Sequence, residues 1–125
     1  MLMNWLWILM GLGGAAVLFG WKHLALVRPG IAREFLKQGA KVIDVRTARE
    51  FNSRHLPPAI SIPLDELCQR ISGEVPDKET VLLLHCGGGV RSGMGKRVLQ
   101  QMGYSKVFNL GSYGRAQRIL QDSKG

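Results

Sequence analysis

The chain has 125 residues, 46% of them hydrophobic, and carries 17 Lys and Arg against 9 Asp and Glu for a formal charge of +8. Without the apolar N-terminal stretch, about 100 residues remain, enough for one compact domain and too few for two. The basic residues are spread over several elements without interleaved aromatics, which argues against nucleic acid as a partner. Cys68, Cys86 and three scattered histidines match no metal-ligand spacing, so neither a metal nor a cofactor is expected.

Residues 1–21 hold no charged side chain, and Trp5, Trp7 and Trp21 flank an apolar run from Leu6 to Gly20. A hydrocarbon core of about 30 Å takes roughly 20 helical residues, and tryptophan favours its two interfaces. The segment reads as one transmembrane helix. A cleaved secretory signal is the competing reading, but no Lys or Arg precedes the apolar run and no small-x-small cleavage site follows it. Gly11 with Ala15 and Ala16 with Gly20 have the spacing of helix-pairing motifs, so a helix-mediated dimer is also open. Residues 22–27 read as a basic juxtamembrane linker. From 22 to 41, Lys22, Arg28, Arg33, Lys37 and Lys41 face one acid, Glu34. Positive charge stays on the cytoplasmic side, which places the domain in the cytosol, with the periplasm as the alternative.

Over residues 28–121 helix and strand signals alternate. Helices are expected at Ile31–Gln38, Ala48–Ser53 and Leu64–Ile71, from Ser92 to Met102 and at Tyr113–Gln121. Strands are expected at Lys41–Val45, Ala59–Ile62, Thr80–Leu84 and Lys106–Asn109. Alternation of this kind implies an α/β fold with a mostly parallel sheet covered on both faces. On the helix after Ser92, Met94, Val98, Leu99 and Met102 are expected to form the buried face.

The run Leu84-His85-Cys86-Gly87-Gly88-Gly89-Val90-Arg91-Ser92 takes an apolar strand into a cysteine, three glycines and a helix start. Successive glycines let the backbone curl and aim N–H groups at the sulfur. The helix N-terminus adds partial positive charge, and no acid occurs between residues 80 and 121. These features should hold the Cys86 thiol below its reference pKa of about 8.5 and produce a nucleophilic thiolate. A nucleotide-binding P-loop would need a Gly-Lys-Ser/Thr that is missing. His85 should point away from Cys86 by strand alternation, so no cysteine–histidine dyad is expected. Cys68 reads as a packing thiol.

Four segments in order resemble the rhodanese family of sulfurtransferases. They are Val42-Ile43-Asp44-Val45-Arg46-Thr47-Ala48-Arg49-Glu50-Phe51, His55-Leu56-Pro57-Pro58-Ala59-Ile60-Ser61-Ile62-Pro63-Leu64, the loop Cys86-x-x-Gly89-x-Arg91-Ser92, and Met102-Gly103-Tyr104 with Val107-Phe108-Asn109-Leu110-Gly111. Arg54 and Pro58 stand where the family usually has glycines, and Gly111-Ser112-Tyr113 replaces a more usual glycine pair. The resemblance implies a rhodanese-like domain over 28–121 and transfer of a sulfane sulfur from a donor such as thiosulfate to a thiol or cyanide. Cys86 would carry the sulfur as a persulfide, and Gly87, Gly88, Gly89, Val90, Arg91 and Ser92 would hold the anionic donor and the sulfur. Asp44, Arg46 and Glu50 would be structural support, with Arg46 and Glu50 four apart and close enough to pair. Related phosphatases use one more loop residue, whereas here four residues separate Cys86 from Arg91. A phosphatase and a non-catalytic binding module are the alternatives.

Overall fold

The structure is a computed structural model that describes residues 25–123. The expected transmembrane helix at 1–21 and the start of the linker lie outside the described residues. Among the described residues no helix is long and apolar enough to cross a membrane. The end of the linker already belongs to the fold: Val27 N–H donates to Asn109 O at 2.9 Å, and Leu26 bridges to Asn109.

Strands β1 (Lys41–Asp44), β2 (Ala59–Ser61), β3 (Leu82–His85) and β4 (Val107–Gly111) form a sheet in the order β2-β1-β3-β4. Every neighbouring pair is parallel. β3 is buried along its whole length, as its unbroken apolar run requires. Helices α1 (Pro29–Lys37), α2 (Ala48–Ser53), α3 (Leu67–Glu74), α4 (Val90–Gln101) and α5 (Tyr113–Asp122) complete the chain, with a 3₁₀ turn at Leu64–Glu66 leading into α3.

Strand alternation divides the core in two. Leu82, Leu84 and Cys86 join Leu67, Ile71 and Leu99 on the α3/α4 side. Leu83 joins Ala32, Ala116, Ile119 and Leu120 on the α1/α5 side. The bulge between Leu84 and His85 sets His85 opposite Gly111, just where β3 passes into the glycine loop.

Two sequence expectations are corrected here. Met94 is 54% exposed. The buried residues of α4 are Ser92, Gly93, Gly95 and Leu99, because the helix lies so close to the sheet that a Cβ at Gly95 would sit 3.0 Å from Leu84 Cδ2. Cys68 is exposed. It follows Leu67 on α3, whose Leu67 and Ile71, four apart, take the buried face and leave Cys68 outward.

Candidate active site

The reactive loop begins where β3 ends, at the C-terminal edge of a parallel sheet, where folds of this kind place their ligands. Gly89 caps α4 with φ of 103°, a conformation that side-chain-bearing residues rarely adopt. A Cβ there would also come within 3.4 Å of Gly111 Cα. The resulting turn folds the backbone back over Cys86.

Cys86 is 1% exposed. Its Sγ accepts from Gly89 N–H at 2.9 Å and Ser92 N–H at 3.4 Å, with Ser92 Oγ also at 3.4 Å. Burial pushes the thiol up, but the Ser92 hydroxyl and the N–H groups of Ser92, Gly89 and Gly88 outweigh it, so the Cys86 pKa lies below its ordinary value. Helix α4 begins at Val90, two residues earlier than the sequence suggests, so Ser92 falls in its first turn and reaches the sulfur with both its amide and its hydroxyl.

The other loop residues divide by task. Gly88 and Gly89 supply amides, while Gly87 turns its carbonyl to Tyr113 N–H at 3.2 Å. Val90 is 60% exposed at the loop's outer face. Arg91 is paired across the site: Nη1 donates to Glu50 Oε1 at 2.6 Å and Nη2 to Glu50 Oε2 at 3.1 Å. A Cβ at Gly87 would lie 3.1 Å from Arg91 Nη2, so the glycine leaves room for this arrangement.

The expected Arg46–Glu50 pair is therefore corrected. Glu50 belongs to a capping box, accepting from Thr47 N–H at 3.2 Å while Thr47 Oγ1 accepts from Glu50 N–H at 3.2 Å. That turn aims its carboxylate across to Arg91, whose bond holds the Glu50 pKa down at about 2. Arg46 bends back onto Asp44 instead, with Nε–Oδ1 at 3.0 Å and Nη2–Oδ2 at 2.7 Å, and its Nη2 also reaches Arg54 O at 2.7 Å. Asp44 and Arg46 thus tie the end of β1 to the chain beyond α2.

His85 points to the opposite face from Cys86, edge-on to Tyr113 with ring centroids 5.8 Å apart. Its Nε2 is buried without a hydrogen-bond partner, 3.7 Å from Asp44 Oδ2. Burial lowers its pKa, more than the Asp44 carboxylate raises it. The guanidiniums of Arg46 and Arg54 both lie over the Tyr113 ring, 4.8 and 4.5 Å from its centre. Arg54 and Tyr113, which both fall among the departures from the family pattern, are each other's partners: Arg54 Nε donates to Tyr113 Oη at 3.2 Å.

One site residue was missed in the sequence. Asn109, buried in β4, accepts at Oδ1 from Ser92 Oγ (2.7 Å) and Gly111 N–H (2.8 Å), and its Nδ2 donates to Gly89 O at 3.1 Å. A single polar residue inside an otherwise apolar strand was the available signal, since a buried amide needs partners. Among the described residues no group of three or more His, Cys, Asp or Glu side chains could hold a metal.

Thiosulfate sulfurtransferase PspE of Escherichia coli (strain K12) is 42% identical over 69 residues, covering 55% of this chain and 66% of that protein. The putative sulfur carrier protein YrkF of Bacillus subtilis (strain 168) is 31% identical over 88 residues, 66% of this chain and 46% of that one. The chain thus spans less than two thirds of these relatives' lengths. Among solved structures, a rhodanese with anions from E. coli superposes with a TM-score of 0.59 at 38% identity, covering 62% of this chain and 91% of that one. Human single-domain sulfurtransferase TSTD1, at 24% identity and a TM-score of 0.65, covers 74% and 95% and shares the fold. Residues 29–114 match the rhodanese-like domain, and the chain belongs to that family.

Proposed function

We propose that the protein is a sulfurtransferase of the thiosulfate sulfurtransferase type. It takes a sulfane sulfur from a donor such as thiosulfate onto Cys86 and passes it from the Cys86 persulfide to a thiol or cyanide. The observation that carries this reading is the buried Cys86 Sγ, held by amides of its own loop, with the neighbouring His85 turned to Tyr113 instead. Cys86 thiolate attacks the outer sulfur of the donor, and the remainder leaves, as sulfite when the donor is thiosulfate. The Gly88, Gly89 and Ser92 amides then stabilise the terminal persulfide charge as a preorganised site stabilises an oxyanion. A second nucleophile removes the sulfur and regenerates the thiolate, which predicts ping-pong kinetics. The phosphatase alternative is weaker, because four residues separate Cys86 from Arg91, one fewer than in the related phosphatases.

Residues 1–21 serve as a single-pass anchor in this reading, and the basic residues that follow favour a cytosolic domain, where the reducing environment keeps Cys86 free. The four-residue Gly/Ala spacing would let two anchors pair. Protease protection of the domain in sealed vesicles tests the topology; cleavage only from the periplasmic face overturns it.

The test of function is thiocyanate formation from thiosulfate and cyanide by the full chain in detergent, beside Cys86→Ser, with intact mass followed for the adduct of about 32 Da expected for one sulfur. Activity and adduct should vanish together in the variant. Turnover that survives in Cys86→Ser overturns the reading.

A further inference from the structure

Charges around the reactive edge of the sheet cancel in pairs. Arg91 is matched by Glu50, and Arg46 by Asp44. Arg54 is different. It stands just past α2, exposed, and among the described residues it forms no ion pair. Its Nε donates to Tyr113 Oη at 3.2 Å and its Nη2 to Gln117 Oε1 at 3.4 Å, with the guanidinium 4.5 Å from the Tyr113 ring centre. Neutral groups thus fix its direction and leave its charge unmatched. The same Tyr113 is joined to the reactive loop: its N–H donates to Gly87 O at 3.2 Å, and Gly88 bridges to Ser112. Gly87 is bonded to Cys86, and Gly87 and Gly88 form the exposed stretch of loop that follows the buried sulfur. One side chain, Tyr113, therefore separates the Arg54 cation from the loop's opening to solvent.

We propose that Arg54 is a specificity-determining residue whose field draws anionic sulfur donors to the Gly87–Gly88 opening. The proposal rests on the sulfurtransferase reading and deepens it by naming a residue that selects the donor. Arg54 needs no bond to the reacting atoms, because the attraction acts on the donor's charge during its approach. For a cation acting across roughly 10 Å of water, Coulomb's law gives about a fourfold gain for a dianion, about twofold for a monoanion and none for a neutral reagent. Salt at about 0.1 M screens charges over that same distance, so the gain belongs to low ionic strength.

The experiment measures second-order rates of Cys86 modification, by intact mass, at low ionic strength and in neutral detergent. The reagents are thiosulfate, a dianion; methanethiosulfonate, a monoanion; and iodoacetamide, which is neutral. The proteins are the full chain, Arg54→Gln, Arg54→Lys and Lys41→Gln, all carrying Cys68→Ser so that Cys86 is the one thiol left. Arg54→Gln should lose about fourfold with thiosulfate and about twofold with methanethiosulfonate relative to iodoacetamide, and added salt should erase both losses. Arg54→Lys should keep the parent's preference. Lys41 opens β1 at the opposite end of the sheet, exposed, so Lys41→Gln makes the same change in net charge and should leave all three rates alone. Equal losses with all three reagents in Arg54→Gln would make Arg54 a structural residue and overturn the proposal. Unchanged rates, or an equal charge-graded loss in Lys41→Gln, would overturn it as well. If neither sulfur donor loads a chain that iodoacetamide alkylates, the sulfurtransferase reading falls instead, and iodoacetate against iodoacetamide then tests Arg54 by the same twofold difference.

Discussion

The Ser92 hydroxyl has one proton and three acceptors within reach: Asn109 Oδ1 at 2.7 Å, Gly89 O at 3.1 Å and Cys86 Sγ at 3.4 Å. With Cys86 protonated, the shortest contact takes the proton. Once the sulfur is ionised, its charge competes for it. Hydrogen bonds to charged groups contribute about 1.5–3 kcal/mol at good geometry; a long, shared one is worth about 1 kcal/mol on that scale. Ser92→Ala removes this term but leaves the Gly89, Gly88 and Ser92 amides in place, so the Cys86 pKa should rise toward its ordinary value. A loss of about 1 kcal/mol cuts the thiolate fraction roughly fivefold wherever the pH lies below that pKa, and not at all well above it. The assay is the rate of iodoacetamide alkylation of Cys86 against pH, read by intact mass. Ser92→Ala should show a displaced acid limb and an unchanged alkaline plateau. Superimposable profiles would refute the reasoning and leave the amides alone to hold the charge. A collapsed plateau would refute it differently, showing that the hydroxyl maintains the shape of the loop.

Asn109→Leu strands the Gly111 N–H and takes one donor from the Gly89 carbonyl, which keeps Gly93 N–H, so urea unfolding should report a loss of about 1–3 kcal/mol, and alkylation of Cys86 should slow at every pH; unaltered stability would show that water replaces the amide. The Glu50 pKa of about 2, against 4.5 for the free group, means that its pairing with Arg91 contributes stability fully present above pH 4.5 and lost as pH falls toward 2. Both side chains are more than a third exposed, 38% and 36%, so the amount is about 1 kcal/mol, and Glu50→Gln should flatten the stability profile over that window; an unchanged slope refutes the assignment. For His85 the depressed pKa has the same sign: its contribution is complete above pH 6.5 and falls away as acid forces a charge into the buried site. His85→Leu should abolish that acid loss and, since Nε2 has no partner, should cost less than about 1.5 kcal/mol at pH 7.5.

The sheet was legible in the sequence because burial on both faces leaves an unbroken apolar run, seen at Leu82, Leu83 and Leu84. Cys86 was legible for a related reason: cysteine, glycines and helix start are contiguous, so the cradle is local. What the sequence could not show is remote pairing. Glu50 has basic residues at positions 46, 49, 54 and 91 to choose from, and spacing favoured Arg46; the capping turn points the carboxylate elsewhere. Met94 satisfied helical periodicity, yet the close approach at Gly95 gives the buried side to small residues. Asn109 lies 17 residues from Ser92, and only the adjacency of β3 and β4 reveals the contact. The nucleophile therefore has two origins. Its charge is stabilised by amides that the loop supplies, while the position of those amides depends on β4 and the start of α5, through Asn109 to Gly89, Gly111 O to Cys86 N–H, and Tyr113 N–H to Gly87 O. Substitutions on β4 should then change the reactivity of Cys86 without touching its sulfur, and the departures at Gly111-Ser112-Tyr113 fall at that join, where the site can be altered while the cradle sequence stays the same.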